Sequence, residues 1–312
     1  MKLPSPSTRK ERGMALLLVL VAVMALTFIV AGLYESSQAS WDESSLSRAR
    51  YQAGLLAESG LSIALHPQIE PGDVALNQTF GTDRGFEVIM TGEGGRLPVN
   101  QLTEERMRET ATELFILWGL DAAGASRVAD SIADWIDGDS DPLPNGAENG
   151  YYAGLDYPQF PANIAFTSLE QLLFVAGMDA VEQVQPFWRD YFTIHSDGLI
   201  DLNEAPQELI TALTRTTEDS ALNFVAVRTG DDGIAGTEDD YRFADIGEVQ
   251  SLLGLSDLEW SAISSFVTLS GTVKRIESTG RIGDFRETRI ILAEEVTQGR
   301  ETVLTPVARF RK

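Results

Sequence analysis

The sequence predicts an α+β protein: one long amino-terminal helix, strands near both ends of the body, and a large helical segment between them. Three observations predict it. Residues 14–66 contain no Pro and begin with an uncharged apolar run. Short β-rich stretches fall near residues 74–90 and return after residue 273. Between them the apolar spacing is helical and the loops are acidic.

The chain has 312 residues, 43% apolar and 23% charged, which is ample for a buried core and excludes a disordered or polytopic membrane chain. Lys and Arg number 24 against 47 Asp and Glu, a net charge of −23. Such a chain repels phosphate backbones, so nucleic acid is excluded as a partner, while Ca²⁺ and basic partners suit it. With no Cys, disulfides, thiolate zinc sites and Cys nucleophiles are excluded. His66 and His195 are the only histidines, so a multi-His metal site is excluded too.

Residues 1–13 carry four basic residues and one acid; Met14 then opens a 21-residue run without charge, ending at Tyr34. At about 1.5 Å per residue this run spans the hydrocarbon core once. Arg9, Lys10 and Arg12 flank only its front, which places the front in the cytoplasm and the body across the inner membrane, in a periplasm. A signal peptide is the competing reading. Its apolar region would be shorter; Ala31-Gly32-Leu33 is a poor cleavage signal and Ser37-Gln38-Ala39 a tolerable one.

A short basic leader ending in Gly13, followed by Met14 and an unbroken apolar helix, resembles a type IV prepilin amino terminus. The resemblance implies cleavage after Gly13 by a prepilin peptidase, with the apolar helix kept as an assembly spine. Most pilins carry Glu at the fifth mature position; here it is Leu18. The missing Glu resembles the minor pseudopilin K of type II secretion systems. A carboxylate in the bilayer is costly without a partner, and a subunit at the tip of a filament has no neighbour above it to supply one.

Beyond the membrane, Leu46, Ala49, Ala53, Leu56, Gly60 and Ala64 recur at three or four residues, giving a face of small and apolar residues that suits close packing on a sheet. Pro67 and Pro71 stop the helix. Residues 74–80 and 86–90 read as short strands. Residues 107–136 read as a helix pair broken near Gly119 and Asp121.

Two echoes point to an internal duplication. Leu97-Pro-Val-Asn100 parallels Ile200-Asp-Leu-Asn203, each just before a helix, so that Asn100 and Asn203 are expected as caps. The stretch from Phe166 to Met178 aligns with that from Phe243 to Leu255, with Ser168 and Asp245 as matching N-caps and Gly177 and Gly254 as matching stops. Helix–Gly–helix units also occur in DNA-binding hairpins, but those need basic surroundings, and these are acidic.

The tail, with segments 273–278, 286–294 and 303–310, returns to strand character, with turns at 280–284 and 298–299. The order resembles a pseudopilin sheet with an inserted α-domain, as in the K class, over essentially the whole chain; Asp134-Trp-Ile-Asp137 and Glu148-Asn-Gly-Tyr-Tyr152 resemble that class's middle region. The resemblance implies a pseudopilin fold, the long helix packed on a small antiparallel sheet. The expected divisions are leader 1–13, transmembrane 14–34, periplasmic helix 35–66, first strands 67–95, inserted α-domain with two related units 96–266, and last strands 267–312.

Two acidic loops are candidate calcium sites. Asp137, Asp139 and Asp141 alternate, with Glu148 close behind; alternate carboxylates on an extended loop let hard oxygens converge, though Pro142 sits where an EF-hand needs Gly. In the loop 230–240, Asp231, Asp239 and Asp240 supply charge, Thr237 a further oxygen, and the glycines sharp turns. This loop is the better candidate, resembling calcium loops of pseudopilins; solvated acidic turns are the plainer reading. The ion's role would be structural.

No enzyme is expected. Asp134 and Asp137 near Trp135 invite a glycosidase reading as paired carboxylates, but Trp135 reads as core and the acids as loop. Neither a phosphate-binding loop nor a dinucleotide fingerprint is present. The resemblance implies a non-catalytic minor pseudopilin that joins other minor pseudopilins at the tip of a periplasmic pseudopilus and helps to start it. A minor pilin and a single-pass anchored periplasmic calcium-binding module are the alternatives.

Overall fold

The computed structural model describes residues 8–298 and 301–311. Residues 1–7 of the expected leader and Gly299 of the expected last turn lie outside the described residues.

Helix α1 runs from Thr8 to Ala64, 57 residues and so about 85 Å. Its stretch Leu16–Tyr34 is long and apolar enough to cross a membrane and is 0% buried against the rest of the chain. The helix closes at Ala64, two residues before the expected end, in a tightened turn where His66 N–H donates to the Ile63 carbonyl.

The last third of α1 lies on a sheet. Ala53, Ala57, Leu61 and Ala64 recur at three to four residues and are all buried. This face is rotated slightly from the predicted one, since Leu46 stays exposed. Close approach explains two glycines: a Cβ at Gly60 would press on Phe86 and Val88, and one at Gly280 would collide with the Ala53 carbonyl.

Strands β1 (Asn77–Phe80) and β2 (Arg84–Gly92) follow. The expected strand at 74–80 starts late because Asp73 accepts from Ala75 N–H and turns residues 74–76 into a 3₁₀ turn. The chain then leaves the sheet. It passes through β3 (Leu97–Pro98), α2 (Glu105–Leu117), α3 (Ala122–Ile136), α4 (Asn149–Ala153), α5 (Met178–Val184), β4 (Phe192–Thr193) and β5 (Ile200–Asp201). It continues through α6 (Gln207–Thr214), α7 (Glu218–Arg228), α8 (Ile246–Leu253), α9 (Asp257–Ile263) and β6 (Val267–Thr268). Finally β7 (Val273–Ile282), β8 (Phe285–Gln298) and β9 (Glu301–Arg311) complete the sheet. Its order is β1-β2-β7-β8-β9, antiparallel throughout. The sheet is re-entered beside the point of departure, with Gly92 opposite Lys274.

The inserted domain is built twice on one plan. β3 pairs in parallel with β4, and β5 with β6. Each unit has its N-cap at Ser168 or Asp245 and its left-handed glycine at Gly177 or Gly254. The echo is imperfect, since the segment after Ser168 is a 3₁₀ helix where its counterpart is α8. Asn100 and Asn203 do not cap helices. Each reaches across to the backbone of a distant phenylalanine, Phe166 or Phe243. Strand β6 pairs within the insertion, so the large sheet resumes at Val273 and not at residue 267.

Two hydrophobic cores result, one between α1 and the sheet and one inside the insertion. Polar contacts join them. Glu93, 3% exposed, takes Arg96 at 2.9 Å and Arg275 of β7 at 3.2 Å. Within the insertion, Arg242 pairs with Glu204. Loop 230–240 lies on the sheet, where a Cβ at Gly236 would press on the Met90 carbonyl.

Candidate metal centre

The centre forms where α3 ends. Helix α3 is amphipathic, and its last turn carries Asp134 into the interior at 0% exposure, beside Trp135 and Ile132 of the core. Asp137 is the C-cap of α3, and Glu148 is the N-cap of α4. The intervening loop folds back so that one ligand oxygen from each of Asp134, Asp137 and Glu148 lies within 4.8 Å of the others. Leu143 N–H donates to Asp134 at 3.1 Å. Gly146 backs so closely on Asp134 that a Cβ there would strike the carboxylate.

The electrostatics suit a cation. Burial pushes the carboxyls of Asp134, Asp137 and Glu148 above their ordinary range, and repulsion from neighbouring carboxylates, Asp139 among them, adds to the rise. Asp137 Oδ1 and Glu148 Oε1 are buried without a hydrogen-bond partner. Buried orphan acceptors are costly, and a hard cation is the group that satisfies several at once. Asn163, whose Nδ2 donates to the Asp139 carbonyl, has a buried, unpartnered Oδ1 as well. The donor set, all oxygen, fits Ca²⁺.

Of the residues named from the sequence, the structure brings Asp137 and Glu148 together. Asp139 and Asp141 stay exposed, with Asp139 accepting from Asp141 N–H at 2.8 Å. In the other loop, Asp239 accepts from Asp231 N–H at 2.7 Å and from Thr237 Oγ1 at 2.8 Å. Its carboxyl is held below the usual range, chiefly by Thr237. Asp240 accepts from Gly236 N–H at 2.6 Å and leaves Oδ1 buried without a partner. Among the described residues this loop does not gather three acidic ligands; its acids pin its own turns. Asp134 was missing from the predicted ligands. Its i,i+3 spacing from Asp137 on one helix turn is the signal that points to it. Gly13, Met14 and Leu18 all lie on α1, with Met14 and Leu18 exposed.

Residues 95–187 match the family model for type II secretion system protein K. The chain is 26% identical to type II secretion system protein K of Dickeya chrysanthemi over 228 residues, covering 55% of this chain and 63% of that protein. It is 28% identical to protein K of Pectobacterium carotovorum subsp. carotovorum, covering 55% and 60%. The chain is similar to type II secretion system protein K over this region. The match spans somewhat less than two thirds of these relatives' length. The fold agrees: the structure superposes with a TM-score of 0.60 on a chain of the GspK-GspI-GspJ complex of enterotoxigenic Escherichia coli, covering 88% of this chain and 98% of that one at 14% identity. The family match covers α2, α3 and the whole carboxylate centre.

Proposed function

We propose that this chain is a minor pseudopilin of a type II secretion system, acting by assembly and not by catalysis. It is inserted in the inner membrane by residues 14–34 with its body in the periplasm. A prepilin peptidase cuts it after Gly13, and the new terminus at Met14 is methylated. It joins other minor pseudopilins at the tip of the pseudopilus and helps to start it, for export of folded proteins. The observation that carries this reading is the helical domain inserted between paired strands of a helix-on-sheet fold, a plan shared with the GspK-GspI-GspJ neighbour. A domain of that bulk does not repeat along a filament, and Leu18 lacks the charge that a pilin helix offers to the subunit above. Asp134, Asp137 and Glu148 would hold a structural Ca²⁺, pinning the α3–α4 loop. Loop 230–240 is the second candidate, with Asp240 Oδ1 as its free acceptor.

The test is the intact mass and amino-terminal sequence of the protein co-expressed with a prepilin peptidase. A chain beginning at an N-methylated Met14 supports the proposal. A chain retaining residues 1–13 makes it a signal-anchored periplasmic module, and one cut after Ala39 a secreted protein; either result overturns it.

A further inference from the structure

The charge of this protein is segregated. Residues 93–272 contain 32 Asp and Glu, eight Arg and no Lys, whereas the rest of the chain holds 15 acids and 16 bases. The inserted domain thus carries a net charge of −24 and the remainder +1. Its strong negative potential attracts cationic partners over a Debye length, about 8 Å in physiological salt.

On this domain an aromatic groove of about 360 Å³ is open to solvent, lined by Tyr151, Leu155, Tyr157, Phe160, Phe174 and Asp179. Phe174 is 57% exposed, and Leu155 and Tyr157 are 51% exposed. Single exposed apolar residues are ordinary, but here they share one concave patch. The rings are fixed from below. Tyr157 stacks on Phe160 at 5.8 Å, Phe174 lies 5.6 Å from Phe160, and Phe160 rests 4.9 Å from the core ring of Trp135. Tyr152 Oη accepts from Ala176 N–H and ties the two walls together.

Ring faces in a negative field bind cations well, because the aromatic quadrupole adds to the Coulomb attraction. The domain already makes one such pair on a wall of this groove: the Arg127 guanidinium lies 5.1 Å from the centre of the Tyr151 ring. Asp179 supplies a carboxylate among the lining residues. We propose that the groove docks an arginine or lysine side chain of a partner polypeptide, with Tyr157 and Phe174 flanking the cation and Asp179 countering its charge.

The test uses the full-length protein in non-ionic detergent micelles and a capped tri-arginine peptide, followed by calorimetry. Tri-arginine is expected to bind, and the tri-citrulline peptide, similar in shape but uncharged, to bind at least about ten-fold more weakly. Phe174→Ala and Tyr157→Ala are each expected to weaken binding about five- to thirty-fold. Both side chains are half exposed, so the variants keep the fold, which circular dichroism verifies. Asp179→Asn tests the same groove without altering an aromatic residue and is expected to weaken binding several-fold. Absence of tri-arginine binding overturns the proposal. So does unchanged affinity in all three variants, which would mean diffuse attraction to an acidic domain. Displacement of the peptide by chitotriose, with equal binding of tri-citrulline, would make the groove a glycan platform and also overturn it.

Discussion

Asn203 holds the backbone of Phe243 from both sides: its Nδ2 donates to the Phe243 carbonyl at 2.9 Å and its Oδ1 accepts from Phe243 N–H at 2.9 Å. The same amide nitrogen donates to the Leu269 carbonyl at 2.8 Å. In the first unit Asn100 grips Phe166 with the same two bonds, at 3.1 and 2.7 Å. A side-chain amide thus does the work of a strand neighbour in both units. Asn203→Ala is expected to cost about 2–3 kcal/mol, since three bonds are lost in a buried place, and Asn100→Ala about 1 kcal/mol less. Denaturant unfolding of the full chain, with the two variants side by side, checks the order; equal losses would contradict it.

Glu93 is the keystone of the contact between insertion and sheet. Its side chain is 4% exposed between Arg96 and Arg275, and Arg275 also takes Glu277 at 2.5 Å. Glu93→Gln keeps the shape, strands the buried Arg96 guanidinium and leaves Arg275 with Glu277 alone. It is expected to cost about 3 kcal/mol and to expose the segment around Glu93 to protease. Glu109→Gln, whose carboxylate is 44% exposed between Arg106 and Arg215, should cost much less by comparison.

Gly280→Ala should be among the most damaging single-methyl changes. The added carbon meets the helix backbone at Ala53, which does not yield as a flexible side chain would. A loss of about 2–3 kcal/mol is expected, read as a lower melting temperature with unchanged helix content.

The carboxylate centre makes a pH prediction with a definite sign. Burial raises all three carboxyls, so the metal-free folded chain binds protons more readily than the unfolded one. Its stability therefore falls as pH rises from the ordinary values, 3.8 for aspartate and 4.5 for glutamate, through the raised folded ones. Asp134→Asn retains an acceptor for Leu143 N–H and removes one charge. In chelator near neutral pH it should melt higher than the parent chain, with a shallower dependence on pH. Millimolar calcium should raise the parent's melting temperature and leave the variant nearly unmoved. A parent chain indifferent to calcium would exclude the ion from this centre.

Much of the fold was legible because its signals are local. The Pro-free stretch with its uncharged run specifies α1, and the β-rich tail specifies β7 to β9. The two echoes mark the two units down to the glycines at 177 and 254, whose φ angles are 85° and 69°. What escaped is tertiary. Strands β3 to β6 have two residues each, too short to show alternation. The asparagines resemble caps because capping and long-range clasping need the same amide. Asp134 looked like a helix residue beside a core tryptophan, and only the returning loop brings Glu148 to it and Asp137. In loop 230–240 the acids read as ligands, while in the fold several of them answer backbone N–H groups.

The facing of Gly92 and Lys274 has a consequence for how such a chain came to exist. To the sheet, the whole helical domain is the connection of a β-hairpin. The entropy of closing a flexible connection grows only with the logarithm of its length, about 0.6 kcal/mol per doubling. A folded insert whose two ends already sit side by side removes even that dependence. The pilin-like scaffold is thus indifferent to what is spliced between β2 and β7, so long as it returns where it left. Domains of quite different size and chemistry can be exchanged there without redesigning the long helix and its sheet.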